Sequence, residues 1–168
     1  MRKFVIFLLL FSVVSLSFSD DADARRKRRS RRAKKQKIIN EKKLYERVGG
    51  EKGVALIVDE WLRISLADQR IAPAFAKVTE QPERLAKMRK GMNDQLCEIA
   101  DGPCQYKGKD MVKAHAGLNV SDDQFLIFSE GLFKSMDKRD LPEREKNEML
   151  ARLGELRAEV VDGEASGE

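Results

Sequence analysis

The sequence predicts an all-α protein. Apolar residues recur at three- and four-residue intervals in four long stretches, Gly and Pro clusters separate them, and no run alternates apolar and polar residues as a half-buried strand does. At 168 residues, 42% apolar and 36% charged, the chain can bury one real core and is short for two domains of ordinary size. No internal repeat is present.

The helices are read in order from Ile38. "GGEKGVALIVDEWLRISLAD" opens at Gly49-Gly50 and closes near Asp68, with Val54, Ile57, Val58, Trp61, Leu62 and Ile64 at helical spacing. Pro73 interrupts the next stretch, which predicts a short helix or turn carrying Phe75 and then a loop to Pro82. A second long helix is expected from Glu83 to Ala100, with Leu85, Met88, Met92, Leu96 and Ile99 on one face and a stop at Asp101-Gly102-Pro103. A short helix then carries Met111 and His115 and ends at Gly117. Ser121-Asp122-Asp123 caps the next, whose stripe is Phe125, Phe128, Leu132 and Met136. Asp140 is the expected N-cap of a last helix with Pro142 in its first turn and Leu150, Leu153, Leu156 and Val160 on its inner face. The tail after Val161 is expected to fray.

Charge divides the chain. Arg25 to Lys37, "RRKRRSRRAKKQK", holds ten positive charges and no acid, whereas 21 bases face 25 acids from Ile38 onward. Residues 1–19 read as a signal peptide: "MRK" is a positive start, "FVIFLLLFSVVSLSF" is apolar, and Ser17-Phe18-Ser19 supplies small residues for cleavage after Ser19. Export to a periplasmic or extracellular compartment follows. Ten cations close behind an apolar segment resist translocation, which leaves a membrane-tethered form as the alternative. Residues 20–40 are expected to be a disordered basic arm, 41–162 the folded domain, and 163–168 a disordered tail. With no aromatic residue for base stacking, the arm suits an anionic membrane or wall polymer better than nucleic acid, or serves as a solvated spacer.

Chemistry is scarce. A single histidine excludes a histidine-based zinc cluster, and Cys97 and Cys104 lack the spacing of a zinc ribbon or a haem-attachment motif. No phosphate loop, serine elbow or kinase signature is present. A lone helical histidine is by itself more often a surface or satisfied residue than a ligand.

Four stretches, however, carry a resemblance: "LYERVGG" (Leu44 to Gly50), "VDEWLRISLADQRIAPAF" (Val58 to Phe75), "DGPCQYKGKDMVKAHAGLNVSDDQF" (Asp101 to Phe125) and "MLARLGELRAEVV" (Met149 to Val161). The Tyr-x-Gly step followed by Met and then Ala-His is the most specific part. Together these resemble the truncated hemoglobins, most closely their first group as found in bacteria. The resemblance implies a two-over-two helical sandwich holding one haem b, with His115 as the proximal iron ligand and Phe75 as the haem-packing phenylalanine. Met111 falls beside His115 in the same motif. A flat apolar cofactor with one axial position on each face needs one imidazole and an otherwise apolar cleft, which agrees with this composition. For Phe125, ordinary core packing is the preferred reading.

The distal side departs from the family pattern. Trp61-Leu62 stands where many members have an aromatic followed by tyrosine, and Met88 and Met92 align where glutamine often supplies a hydrogen bond. Gln95 and the Trp61 indole are then the expected donors near a bound gas. The implied function is reversible binding of oxygen, nitric oxide or carbon monoxide, with no catalytic residue. A nitric oxide- or peroxide-processing enzyme is the alternative, as is a methionine-ligated electron-transfer protein or redox sensor; a haem-free helical adaptor is a third. A reductase stays unidentified. Cys97 and Cys104, seven residues apart across a chain reversal, read equally as a disulfide or as two buried thiols.

Overall fold

The structure, a computed structural model, describes residues 21–35, 37–38 and 41–161, in two compact units that divide between Lys42 and Lys43. The expected signal peptide 1–19 and tail 163–168 lie outside the described residues.

In the first unit, residues 21–35 form helix α1, exposed along its whole length, so the expectation of a disordered arm is corrected. Arg, Lys and Ala are strong helix formers, and no Gly or Pro falls between Asp20 and Val48. Asp21 and Asp23 stand in the opening turn, where negative charge complements the helix dipole, and Asp21 pairs with Arg25 at 2.6 Å. Like-charge repulsion one turn apart costs only about 0.2–0.5 kcal/mol per pair, which these preferences offset.

The second unit comprises α2 (Leu44–Arg47), α3 (Gly50–Ala67), a 3-10 turn (Ala72–Phe75), α4 (Ala76–Thr79), α5 (Pro82–Ile99), α6 (Met111–His115), α7 (Asp122–Asp137), α8 (Glu143–Gly154) and α9 (Arg157–Val160). No strand occurs among the described residues. Helix α3 packs against α5 and α7, α7 against α8, and α6 against α9. Ile57, Val58, Leu132, Met136 and Met149 are fully buried where α3, α7 and α8 meet. Each such side chain contributes about 1.5–3 kcal/mol relative to exposure. Ser121 caps α7 through a capping box with Gln124, as its sequence predicts.

The turn into α3 is set by glycine. Gly49 has φ 103°, and a Cβ on Gly53 would lie 2.0 Å from the Val48 carbonyl oxygen. Helix α2 is locked to α8 by ions: Arg47 pairs with Glu145 at 2.7 Å and with Glu148, and Arg152 pairs with Glu148 at 3.0 Å and Asp101 at 2.7 Å. Burial alone would lower the Arg47 pKa, but the Glu148 and Glu145 carboxylates outweigh it and raise it.

Two expectations for the last helix are corrected. Asp140 does not cap it: with φ 52° and its N–H donating to the Asp137 carbonyl, Asp140 closes the turn after α7, and Pro142 occupies the N-cap position. The helix also breaks after Gly154, so Leu156 and Val160 belong to a separate turn of chain that faces α6. Met149, absent from the expected inner face, is buried completely.

Candidate functional site

Helix α6 is five residues long, too short to persist alone. Asp110 caps it, accepting from the Lys113 N–H at 2.8 Å and the Lys113 ammonium at 2.7 Å, and these bonds hold its carboxyl below the usual range. Packing on α9 holds it from the side. Gly117, at φ 76°, turns the chain away after His115.

His115 Nδ1 lies 2.9 Å from the Met111 carbonyl oxygen. A carbonyl only accepts, so Nδ1 carries a proton, and in the neutral ring that leaves the lone pair on Nε2. His115 is half-buried and lines a cavity of about 930 Å³, in the size range of cofactor sites.

Apolar side chains make most of that cavity. Met88, Met92, Leu96 and Ile99 come from α5, Phe75 and Val78 from the connection before it, Phe125 and Phe128 from α7, and Met111 from α6. Met88 and Met92 are half-buried, packing against the core on one side and bordering this space on the other. Phe125 combines the two roles, being 6% exposed, part of the core and also a wall of the cavity.

Two distal expectations are corrected. The Trp61 indole N–H donates to the Phe128 carbonyl at 2.8 Å, so it is not free to serve a ligand. Its ring stacks on Phe128, with centroids 4.3 Å apart, and Phe128 in turn meets Phe75 at 5.9 Å. Leu62 packs into the core at 6% exposure and does not line the cavity. Gln95 does line it, and its Oε1 is buried without a hydrogen-bond partner.

Cys97 and Cys104 are disulfide-bonded, with Cα atoms 5.8 Å apart. The bond ties the end of α5 to the segment that carries Tyr106. A Cβ on Gly102 would lie 2.5 Å from Cys97 Sγ, so glycine is required at this crossing. Tyr106 lies over Gly108 and forms a cavity wall, and burial, then the Asp110 charge, pushes its phenol up.

Arg84, Lys87, Lys107 and Lys109 also border the cavity; all four are exposed and none is ion-paired among the described residues. Sequence reading missed them. Arg84 and Lys87 were legible in principle, standing one turn before Met88 and Gly91 on the same α5 face, whereas Lys107 and Lys109 join them only through the fold. An apolar slot with one free imidazole nitrogen, an unpartnered amide oxygen and unpaired cations at its rim suits a flat apolar macrocycle that carries two carboxylates. Among the described residues no cluster of His, Cys, Asp and Glu could hold a bare metal ion.

The fold and the cavity thus define a haem globin. The chain matches the bacterial-like globin family over residues 43–162 and belongs to it, within the group 1 truncated hemoglobins. It is 29% identical to the group 1 truncated hemoglobin GlbN of Nostoc sp. over 119 residues, which cover 71% of this chain and 97% of the relative. It is 28% identical to that of Tetrahymena pyriformis over 118 residues, covering 70% and 93%. The crystal structure of the Tetrahymena pyriformis protein in its Fe(III) form superposes with a TM-score of 0.65 at 26% identity, covering 71% of this chain and 98% of that one. The 2/2 hemoglobin of Synechococcus sp., solved in the cyanomet state with covalently attached heme, shares the fold with a TM-score of 0.64. The chain is a haem-binding globin that binds diatomic gas ligands.

Proposed function

We propose that the cavity takes haem b with His115 as its protein ligand, and that the chain binds oxygen or another diatomic gas reversibly and lets it go quickly. The observation that carries this is the Nδ1 bond to Met111, which leaves Nε2 as the one imidazole nitrogen open to a metal. When bound, haem would supply the iron that a diatomic gas ligand needs. The chain's own residues exclude water through Met88, Met92, Phe75 and Phe128, and Arg84, Lys87, Lys107 and Lys109 suit carboxylates at the rim. A donor to a polarised ligand is worth about 1–3 kcal/mol, so with the indole N–H engaged the pocket holds oxygen roughly tenfold or more less tightly than one in which that N–H joins the Gln95 amide as a free donor. Peroxide turnover is disfavoured because it benefits from a distal acid–base group.

A second reading, in which a methionine thioether would also bind the iron and the protein would carry electrons or sense redox state, is favoured by Met88 and Met92 both bordering the cavity. Ferric and ferrous absorption spectra decide between them. A five-coordinate, high-spin ferrous form that binds carbon monoxide quickly supports gas binding. A low-spin ferrous form that turns high-spin in Met88→Leu or Met92→Leu supports the second reading.

Residues 1–19 are read as a signal cleaved after Ser19, with a membrane-tethered form as the alternative. Support for export comes from the positive start and apolar run, and from the Cys97–Cys104 disulfide, a bond that persists in oxidising compartments. N-terminal sequencing of the mature protein tests cleavage.

A further inference from the structure

We propose that helix α1 is an electrostatic docking arm for an anionic lipid surface. Nine of the fifteen residues from 21 to 35 are Lys or Arg, and every one of the fifteen is exposed. Asp21–Arg25 is the one ion pair of the helix among the described residues, so Arg26 to Lys35 face water with their charges unmatched there. At about 100° per residue these cations occupy the whole circumference, and a flat surface meets them whichever way the helix rolls.

The remaining residues define how the helix binds. Between residues 21 and 35 the only apolar side chains are Ala22, Ala24 and Ala33, and the next described helical residues add a single exposed isoleucine, Ile38, so there is no stripe to sink into the acyl layer and binding is through charge. It also has no aromatic to stack on bases and no Asn or Gln to read their edges. What remains is attraction to a dense array of phosphates. The neighbouring sequence selects the lipid source. Phe4 to Phe18 is an apolar run, and Arg25 follows seven residues later, a span of at most about 25 Å when extended. In the uncleaved or tethered form, wherever that run meets a bilayer, the cations stand within reach of its headgroups. From Ile38 onward acids outnumber bases, so the net charge of the globin domain does not add to the attraction.

Each Lys or Arg held at an anionic surface strengthens partition about fivefold, so the four or five on one side of the helix together give on the order of a thousandfold. The inference does not depend on haem, and the Soret band of the same samples reports that reading separately.

The test is vesicle cosedimentation of the full chain, with phosphatidylcholine alone and with a three-to-one mixture of phosphatidylcholine and phosphatidylglycerol. Neutral vesicles measure what the apolar run does by itself. Binding to anionic vesicles should exceed it at least a hundredfold at low salt and collapse toward the neutral value between about 50 and 500 mM salt, where the Debye length falls to a few ångströms. Replacing Arg26, Arg28, Arg29, Arg31 and Arg32 with Gln, a residue that keeps helix propensity, should remove most of the excess and leave the Soret band unchanged. Equal binding to the two kinds of vesicle overturns the proposal. So does duplex DNA or soluble polyphosphate that, at equal phosphate concentration, displaces the protein completely from anionic vesicles, since the arm would then belong to a polymer.

Discussion

Replacing Trp61 with Phe separates a structural role from a ligand-binding one. The indole is 4% exposed, gives its N–H to the Phe128 carbonyl at 2.8 Å, and stacks on the Phe128 ring at 4.3 Å. That carbonyl lies inside α7, where helical bonding continues to serve it, so the lost hydrogen bond costs about 0.5–1.5 kcal/mol. The smaller ring leaves a partial void next to Phe75 and Phe128, adding about 1 kcal/mol. The sum is about 2 kcal/mol. For a domain of this size it lowers Tm by roughly 6–8 °C. Because the N–H already has a partner, oxygen release should change little, within about threefold (under 1 kcal/mol). Thermal unfolding of the haem-loaded protein and stopped-flow oxygen release measure both quantities on one sample. Unchanged stability together with oxygen release accelerated tenfold would show that the indole faces the ligand, and would refute the reasoning.

Three further outcomes follow from particular contacts. Replacing both Cys97 and Cys104 with Ser should lower the unfolding free energy by about 2–3 kcal/mol, the chain-entropy value for so short a loop, and should make the Tyr106 segment more susceptible to limited proteolysis; equal melting and proteolysis of the two proteins would count against this. Gly53→Ala should cost about 3 kcal/mol or more, because its Cβ would sit 2.0 Å from the Val48 oxygen, and chemical denaturation would expose the error if the variant matched wild type. Glu60, hydrogen-bonded by Arg63 and then Lys138, has its pKa lowered from 4.5 to about 2. A depressed folded pKa gives stability that is complete above 4.5 and is lost as pH falls from there toward 2, so Glu60→Gln should lose less Tm between pH 7 and pH 3 than wild type does.

The helices and their order were legible because each long one carries its own apolar face, and the Ser121 cap and Gly117 stop are local signals. What lay beyond the sequence depended on distant partners. The Trp61 indole looked available until Phe128, 67 residues on, proved to accept its proton. Leu62 follows Trp61 directly, yet it points into the core, because neighbouring helical residues diverge by about 100°. Met88 and Met92, expected on the distal side, do line the cavity, and the same side of α5 also packs against the core, which helical spacing alone does not separate. The basic arm misled for the opposite reason. Charge repulsion argued for disorder, while the propensities of Arg, Lys and Ala, summed over fifteen residues, favoured the helix. Asp140 has the composition of an N-cap, but its backbone had already been committed to closing the turn after α7.

The central claim is that His115, and no other residue, joins this chain to haem iron. The measurement is the ferrous absorption spectrum of His115→Gly, purified without and then with free imidazole. The variant should lose its haem or hold it loosely, with a wild-type spectrum restored when imidazole fills the space left beside Met111. A His115→Gly protein that retains stoichiometric haem and the wild-type ferrous spectrum without imidazole would contradict it.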